Sequence, residues 1–269
     1  MTYNVRHILS LSGGKDSAAL AVYMRDKVPE MEYIFHDTGK ELPETYEYLS
    51  RLEAVLGKKI TKTTSNQSFD TWLAVYGGMI PSNHRRWCTR MLKLKPFEQY
   101  VGNDPVMNYV GLRADEAREG YISSKSNIKA IYPFREDGIT RADVINILEE
   151  SGLGLPTYTE WGRTRSGCFF CFYQQKIEWV RLKQAHPDLF ERAKEYEHAN
   201  TINGEAFYWN GRESLEELER PERMKQIIEN WEKSRERARA HASNRSLLNI
   251  LGSVEEEEEV KDGCLICSI

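Results

Sequence analysis

No run of apolar residues in this 269-residue chain approaches the roughly 18 that a membrane-spanning helix requires. The first residues, Met1-Thr2-Tyr3-Asn4-Val5-Arg6-His7, lack the apolar stretch of a secretory leader. Both absences lead to the expectation of a cytoplasmic protein with no membrane partner. Cysteine is scarce and odd in number, five in all. In an intracellular chain that speaks against a disulfide framework and for metal or redox chemistry. There is no internal repeat. A strong charge of either sign is also missing, the net being −4. Residues 253–262 hold five glutamates, Asp262 and Lys261, a local −5, so the rest of the chain stands near +1. A nearly neutral body binds nucleic acid only through a local basic patch. The segment from His84 to Lys95, with five Lys/Arg and no acid, is one candidate. The plainer reading is a set of phosphate-binding or solvated side chains around an active site.

What is present begins with Ser12-Gly13-Gly14-Lys15-Asp16-Ser17. The string follows an apolar run, Ile8 to Leu11, and precedes Ala18-Ala19-Leu20-Ala21-Val22-Tyr23, which reads as strand, glycine-rich turn and helix. Two glycines let the backbone turn tightly and aim N–H groups at an anion. The start of a helix near Lys15 adds its positive end, and Lys15 a full charge. Ser12 and Ser17 have hydroxyls to donate. The common NTPase loop is excluded, because Leu9 stands where its first glycine belongs and Asp16 follows the lysine. The loop resembles instead the pyrophosphate loop of the N-type ATP pyrophosphatases, which cleave nucleotides between the α- and β-phosphates.

The first half of the chain alternates. A strand over 6–12, a helix over 15–26, a strand over 32–36, a helix over 43–56, a β-rich run over 59–64 and a strand over 107–111 are expected. That order predicts an α/β fold, a parallel sheet covered by helices on both faces, with ligands beyond the carboxyl ends of its strands. The Ser12–Ser17 loop, Asp37-Thr38-Gly39 and Leu112-Arg113 all follow expected strands and so converge on one edge. The second half reads helical, over 140–151, 174–199 and 213–240. The division expected is a nucleotide-binding domain with a cysteine site over 1–172, a helical region over 173–252 and an acidic flexible tail over 253–269.

Cys88 lies in Arg86-Trp87-Cys88-Thr89-Arg90, and Cys168 and Cys171 in Gly167-Cys168-Phe169-Phe170-Cys171. A Cys-x-x-Cys turn brings two thiolates to one metal or cluster. Three thiolates beside arginines suit an iron–sulfur cluster. Zinc with His84 as a further ligand, and buried unliganded cysteines, are the other readings. Cys264 and Cys267 in the tail either relay sulfur or complete the cluster, or have no catalytic duty.

Several further strings carry a family resemblance. They are Asp37-Thr38-Gly39 with Pro43-Glu44-Thr45-Tyr46, Trp87-Cys88-Thr89 with Lys93 and Pro96, Gly111-Leu112-Arg113-Ala114-Asp115-Glu116, Tyr132-Pro133-Phe134, and the run Gly162 to Cys168. With Ser12 to Ser17 they cover about residues 8–175. The chain is thereby identified as a member of the phosphoadenosine-phosphosulfate reductase family within the N-type ATP pyrophosphatase superfamily. The resemblance implies an adenine nucleotide α-hydrolase-like sheet with a helical C-terminal portion. Assimilatory reductases of the family carry a tandem Cys-Cys where this chain has Trp87-Cys88, and a C-terminal Glu-Cys-Gly-Leu/Ile-His that the ending Asp262 to Ile269 departs from. The Arg-Trp-Cys-Thr context is similar to the sulfur-insertion enzymes of DNA phosphorothioation systems.

That resemblance implies ATP, Mg2+ and an iron–sulfur cluster of the 4Fe–4S type held by Cys88, Cys168 and Cys171, with a cysteine desulfurase as sulfur donor and a nucleic acid as acceptor. Lys15, Asp16 and Arg113 are the expected catalytic residues. Lys15 would stabilise departing pyrophosphate; Asp16 or Asp37 would hold magnesium, bind ribose or cap a helix; Arg113 would contact phosphate, with a surface salt bridge as the plainer reading. Ser12, Gly13, Gly14, Ser17, Asp37, Thr38, Gly39, Arg163 and Arg165 would line the nucleotide site, the last two meeting phosphate or the negative charge of the cluster. Two other functions stay open: a reductase of adenylyl sulfate or its 3′-phosphorylated form, and a nucleotide-sensing or partner-binding module without turnover. A tRNA thiolation enzyme is a variant of the first reading.

Overall fold

Ile8 points to one face of the strand Arg6–Leu11 (β1), while Leu9 and Leu11 point to the other, and all three are buried. Burial on both faces is what a central parallel strand demands. Glu32–Asp37 (β2) repeats the arrangement, with Ile34 on one side and Tyr33 and Phe35 on the other. Ile60–Thr64 (β3), Val106–Tyr109 (β4) and Ile128–Ile131 (β5) complete a five-stranded parallel sheet in the order β3-β2-β1-β4-β5. Leu9 pairs with Tyr33 on one side and Tyr109 on the other. The chain runs outward from β1 through β2 to β3, then returns to the far side of β1. The β1/β4 boundary is therefore the switch point, where a crevice opens beyond the strand ends. The computed structural model describes residues 5–117, 120, 123, 125–198, 201–202, 205–211 and 213–243.

Lys15–Met24 (α1), Pro43–Leu56 (α2), Phe69–Val75 (α3), Trp87–Thr89 (α4) and Lys95–Val101 (α5) follow, with a π turn at Arg90–Leu94 between the last two. Then come Pro133–Glu136 (α6) and Arg141–Glu150 (α7), the latter capped reciprocally by Thr140 and Asp143. Helices α1, α2 and α7 cover one sheet face through Leu20, Leu52 and Leu148. Phe97 and Val101 of α5 cover the other. No helix among the described residues is long and apolar enough to cross a membrane.

The second half forms Lys176–Ala185 (α8), Pro187–His198 (α9), a two-stranded ribbon Thr201–Ile202 (β6) and Glu205–Ala206 (β7), Leu215–Leu218 (α10) and Pro221–Ser243 (α11). The expected continuous helices over 174–199 and 213–240 are each broken by a proline. His186, ahead of Pro187, sits at φ −136°, ψ 70°, because a residue before proline is pushed out of the helical region. The helical region after residue 172 packs against the first half of the chain. Trp179, Phe190, Trp209 and Leu215 share one buried cluster with Phe69, Leu73, Trp87 and Leu92 from the first half. The tail over 253–269 lies outside the described residues.

Glu197 of α9 ties this second core together by accepting the backbone N–H groups of Trp209 at 2.9 Å and Leu215 at 2.7 Å. Burial raises its carboxyl to about 7 against the two N–H groups, which favour the charged form. The native chain thus keeps this proton to higher pH than the unfolded chain, and stability falls as pH rises from about 4.5 to about 7. The slope is bounded by about 1.4 kcal/mol per pH unit. Urea titrations across that window should show this decline in the wild type and a flatter profile in Glu197→Gln. Parallel profiles would remove the assignment.

Candidate nucleotide-binding site

The Ser12–Ser17 loop leaves β1 at the switch point and is closed on itself by its serines. The Ser12 N–H donates to Ser17 Oγ at 3.2 Å, the Gly14 N–H to Ser12 Oγ at 3.3 Å, and Ser17 Oγ to the Gly14 carbonyl at 3.1 Å. Ser17 is buried, so its hydroxyl builds the turn and is not presented to a ligand. Gly13 sits at φ +74°, and a Cβ there would run into the Thr45 methyl. A Cβ at Gly14 would meet Ser166 Oγ at 2.9 Å. Both glycines are therefore required by left-handed backbone or by close approach. Tyr158 donates to the Gly13 carbonyl at 3.3 Å. The loop is thus clasped by α2 on one side and by residues 158–166 on the other. The first turn of α1, starting at Lys15, opens its N–H groups toward the strand ends, as any helix N-terminus does.

Arg113 follows β4 and is 2% exposed. Its guanidinium donates to Asp16 Oδ1 at 2.8 Å and Asp115 Oδ1 at 2.9 Å, and lies 3.2 Å from Glu116 Oε1. Arg113 and Asp16 thus take part in an ionic network joining the two strand-end loops. Gly111 makes the junction tight, since a Cβ there would lie 3.0 Å from the Asp16 carbonyl oxygen.

The turn after β2 is built the same way. Asp37 Oδ1 accepts the Gly39 N–H at 2.8 Å and the Tyr46 hydroxyl at 2.7 Å, so it shapes this turn, with Gly39 at φ +68°. Thr38 Oγ1 donates to Glu41 Oε1 at 2.8 Å and lies 3.2 Å from Cys168 Sγ. Glu41 and Cys168 pair as an isolated bridge, and the Phe169 N–H donates to the Lys40 carbonyl at 2.9 Å. Burial pushes the Glu41 carboxyl up, opposed by the positive charge of Lys93. Desolvation first, and Glu41 second, push the Cys168 thiol well above its ordinary range. Burial, with Lys93 nearby, lowers His36 to about 3, so its ring is neutral. Glu41, Tyr46, Tyr158 and Ser166 were missed by sequence reasoning. Glu41 had one signal, its place directly after the Asp37-Thr38-Gly39-Lys40 turn.

Arg163, expected at phosphate or beside the cysteines, is 1% exposed and turned onto the cysteine loop. Nε donates to the Arg165 carbonyl, one terminal nitrogen to Gln174 Oε1, and the other to the Gly167 and Cys168 carbonyls. Glu178 caps α8 and also accepts from Thr164 N and Oγ1, both at 2.9 Å. Arg165 lies at the start of the loop these contacts shape. Cys88 and Cys168 pack against the same aromatic core, and Cys171 is close enough to act electrostatically on Cys168. Among the described residues no group of three or more His, Cys, Asp or Glu side chains could hold a metal ion as arranged. Cys168 Sγ is engaged by Thr38 and Glu41 in this arrangement. Cys264 and Cys267 lie outside the described residues.

Removing the Arg113 guanidinium would leave three carboxylates facing one another. Arg113→Leu is expected to cost about 3 kcal/mol in unfolding free energy, the scale for breaking a buried ion pair. A urea midpoint unchanged from the wild type would show that the network carries no stability.

Several known proteins are similar to this chain. Two uncharacterized proteins of Methanocaldococcus jannaschii are 24% identical over 241 residues and 28% identical over 199 residues. These matches cover 83% and 69% of this chain, but only 55% and 40% of those proteins, so the chain spans about half the length of these relatives. An uncharacterized protein of Escherichia phage 186 is 25% identical over 252 residues, 71% of this chain and 74% of that one. Among solved structures, the phosphoadenylyl-sulfate reductase of Candida auris in a phosphate complex is similar with a TM-score of 0.49 and 16% identity, covering 61% of this chain and 82% of that one. The U34-tRNA thiolase NcsA of Methanococcus maripaludis, with its 4Fe–4S cluster, gives 0.41 and 16%, over 75% and 74%. The phosphoadenosine phosphosulfate reductase domain model matches residues 6–171, from β1 through the second cysteine of the Cys-x-x-Cys turn, and the chain belongs to that family.

Proposed function

We propose that this chain binds an adenine nucleotide across the β1/β4 switch point and cleaves ATP between its α- and β-phosphates to activate a nucleic-acid acceptor for sulfur transfer, as in DNA phosphorothioation. The observation that carries the reading is the glycine loop at the switch point, with the first turn of α1 directly behind it. Backbone N–H groups and a helix N-terminus supply a fixed positive field for phosphate oxygens. Lys15 opens that helix and adds the full charge. In the proposed step an acceptor oxygen attacks the α-phosphorus, the bond to the bridging oxygen breaks, and pyrophosphate leaves with the electron pair. Hydrosulfide, released when a thiol reductant cleaves the persulfide of a donor such as a cysteine desulfurase, then attacks the activated atom of the acceptor; the bond to sulfur forms, the bond to the AMP-bearing oxygen breaks, and AMP leaves with the electron pair. Asp16, fixed by Arg113, keeps the first turn in place, and Arg165 borders the site from the cysteine loop. Cys88, Cys168 and Cys171 belong in this reading to the sulfur-handling side.

Family membership itself favours a second reading, reduction of adenylyl sulfate or its 3′-phosphorylated form to sulfite. The two separate cleanly in one assay on anaerobically purified full-length protein. Pyrophosphate release from ATP, reduced at least about tenfold in Lys15→Ala, is expected, as for loss of a charge contact made in the transition state. Undiminished release in Lys15→Ala would remove the role given to the lysine. Sulfite from adenylyl sulfate without ATP turnover would replace the first reading with the second.

A further inference from the structure

Between Asp70 and Glu98 the chain contains no acidic residue, against five Lys/Arg and His84. Asp70 itself is engaged, by Lys40 at 2.7 Å and by the Tyr196 hydroxyl at 2.6 Å. Arg85, Arg90 and Lys95 are exposed. The same segment exposes apolar and aromatic surface that no core contact requires: at the end of α3, Val75 is 65% exposed and Tyr76 36% exposed. Tyr76 is not loose. One ring face stacks on buried Trp87, with centroids 5.1 Å apart and planes 17° apart. Trp72 adds a second ring 6.3 Å away, with Lys95 Nζ 5.8 Å from its centroid. A backed, exposed aromatic ring in a stretch that holds five Lys/Arg and no acid is what a strand of nucleic acid needs: a surface for a base and charge for its phosphates.

We infer that the end of α3 and the segment 82–95 form a docking surface for a single strand of nucleic acid, one base stacking on Tyr76 and the backbone running along Arg85, Arg90 and Lys95. The inference rests on the nucleic-acid acceptor proposed above and names where that acceptor is held. Single strands are selected over duplex because paired bases hide the faces that a ring stacks on. The surface also leads to the thiols. Trp87, which backs Tyr76, directly precedes Cys88 in sequence, and Arg86 lies over the ring of Tyr173, 5.3 Å from its centroid and two residues beyond Cys171.

The test is fluorescence anisotropy of the full-length chain with a labelled oligothymidylate of about twelve nucleotides, a length within the range of single-strand sites. Three neutralised phosphates predict about a twentyfold loss of affinity between about 50 and about 200 mM salt. Tyr76→Ala is expected to weaken binding at least about fivefold, while Tyr76→Phe, which keeps the ring, stays within about twofold of wild type. Arg90→Ala with Lys95→Ala should flatten the salt dependence. Basal pyrophosphate release from ATP without nucleic acid, where water takes the place of the acceptor oxygen, should be unchanged in the Tyr76, Arg90 and Lys95 variants, and Lys15→Ala should bind the oligonucleotide as wild type does, so this surface and the nucleotide site fail separately. No binding at the lower salt, equal binding of a blunt duplex, or wild-type affinity in folded Tyr76→Ala would each overturn the inference.

Discussion

A guanidinium taken almost wholly out of water holds the nucleotide edge of this sheet together. Arg113 cannot shed its charge, so its removal from solvent is tolerated only because Asp16, Asp115 and Glu116 surround it. Asp16 belongs to the first turn of α1 and Arg113 follows β4, so the pair fixes a helix start against the strand on the other side of the switch point. Gly111 is the steric counterpart, since any side chain there would press on the Asp16–Ser17 backbone. The glycine loop inherits its position from that junction. Its serines then lock the turn internally.

The second core extends the same logic to the cysteines. Phe170 stacks on Trp209 with centroids 5.0 Å apart and lies 4.5 Å from Phe69, so the Cys-x-x-Cys turn is gripped by side chains from α3 and from the segment after α9. Arg163 fixes the carbonyls on the other side of the turn. The Glu41–Cys168 bridge then joins this lobe to the end of β2. Nucleotide loop and thiol loop are therefore parts of one packed body, with Ser166 against Gly14 as their point of nearest approach.

What could be read in the sequence was local. The loop Ser12–Ser17, the strands β1 to β4, the helix Pro43–Leu56 and the helix Arg141–Glu150 each declare themselves by periodicity, glycine or a cap within a short window. The convergence of three loops on one sheet edge followed from counting alternating elements. The roles of Arg113 and Arg163 were not legible, because an arginine after a strand reads the same whether it faces phosphate or protein, and the deciding partners lie elsewhere in the fold. Asp16 is 97 residues from Arg113 in sequence. Glu41 was missed for the same reason, since a carboxylate meaningful only against Cys168 has no local pattern. The short edge strand β5, half exposed, carries too little apolar signal to stand out.

Arg113 is matched by carboxylates, while Arg163 keeps its charge among carbonyls and the Gln174 amide on the cysteine loop. In the proposed reaction the field at the switch point would come from Lys15 and from oriented peptide dipoles, the N–H groups of the glycine loop and of the α1 first turn. Dipoles held by a packed backbone need no rearrangement as charge develops on departing pyrophosphate, which makes them effective where side-chain cations are few. The body's near-neutral charge is consistent with that division. In the proposed reaction fixed dipoles would serve the nucleotide, while five Lys/Arg are concentrated in the acid-free segment between Asp70 and Glu98.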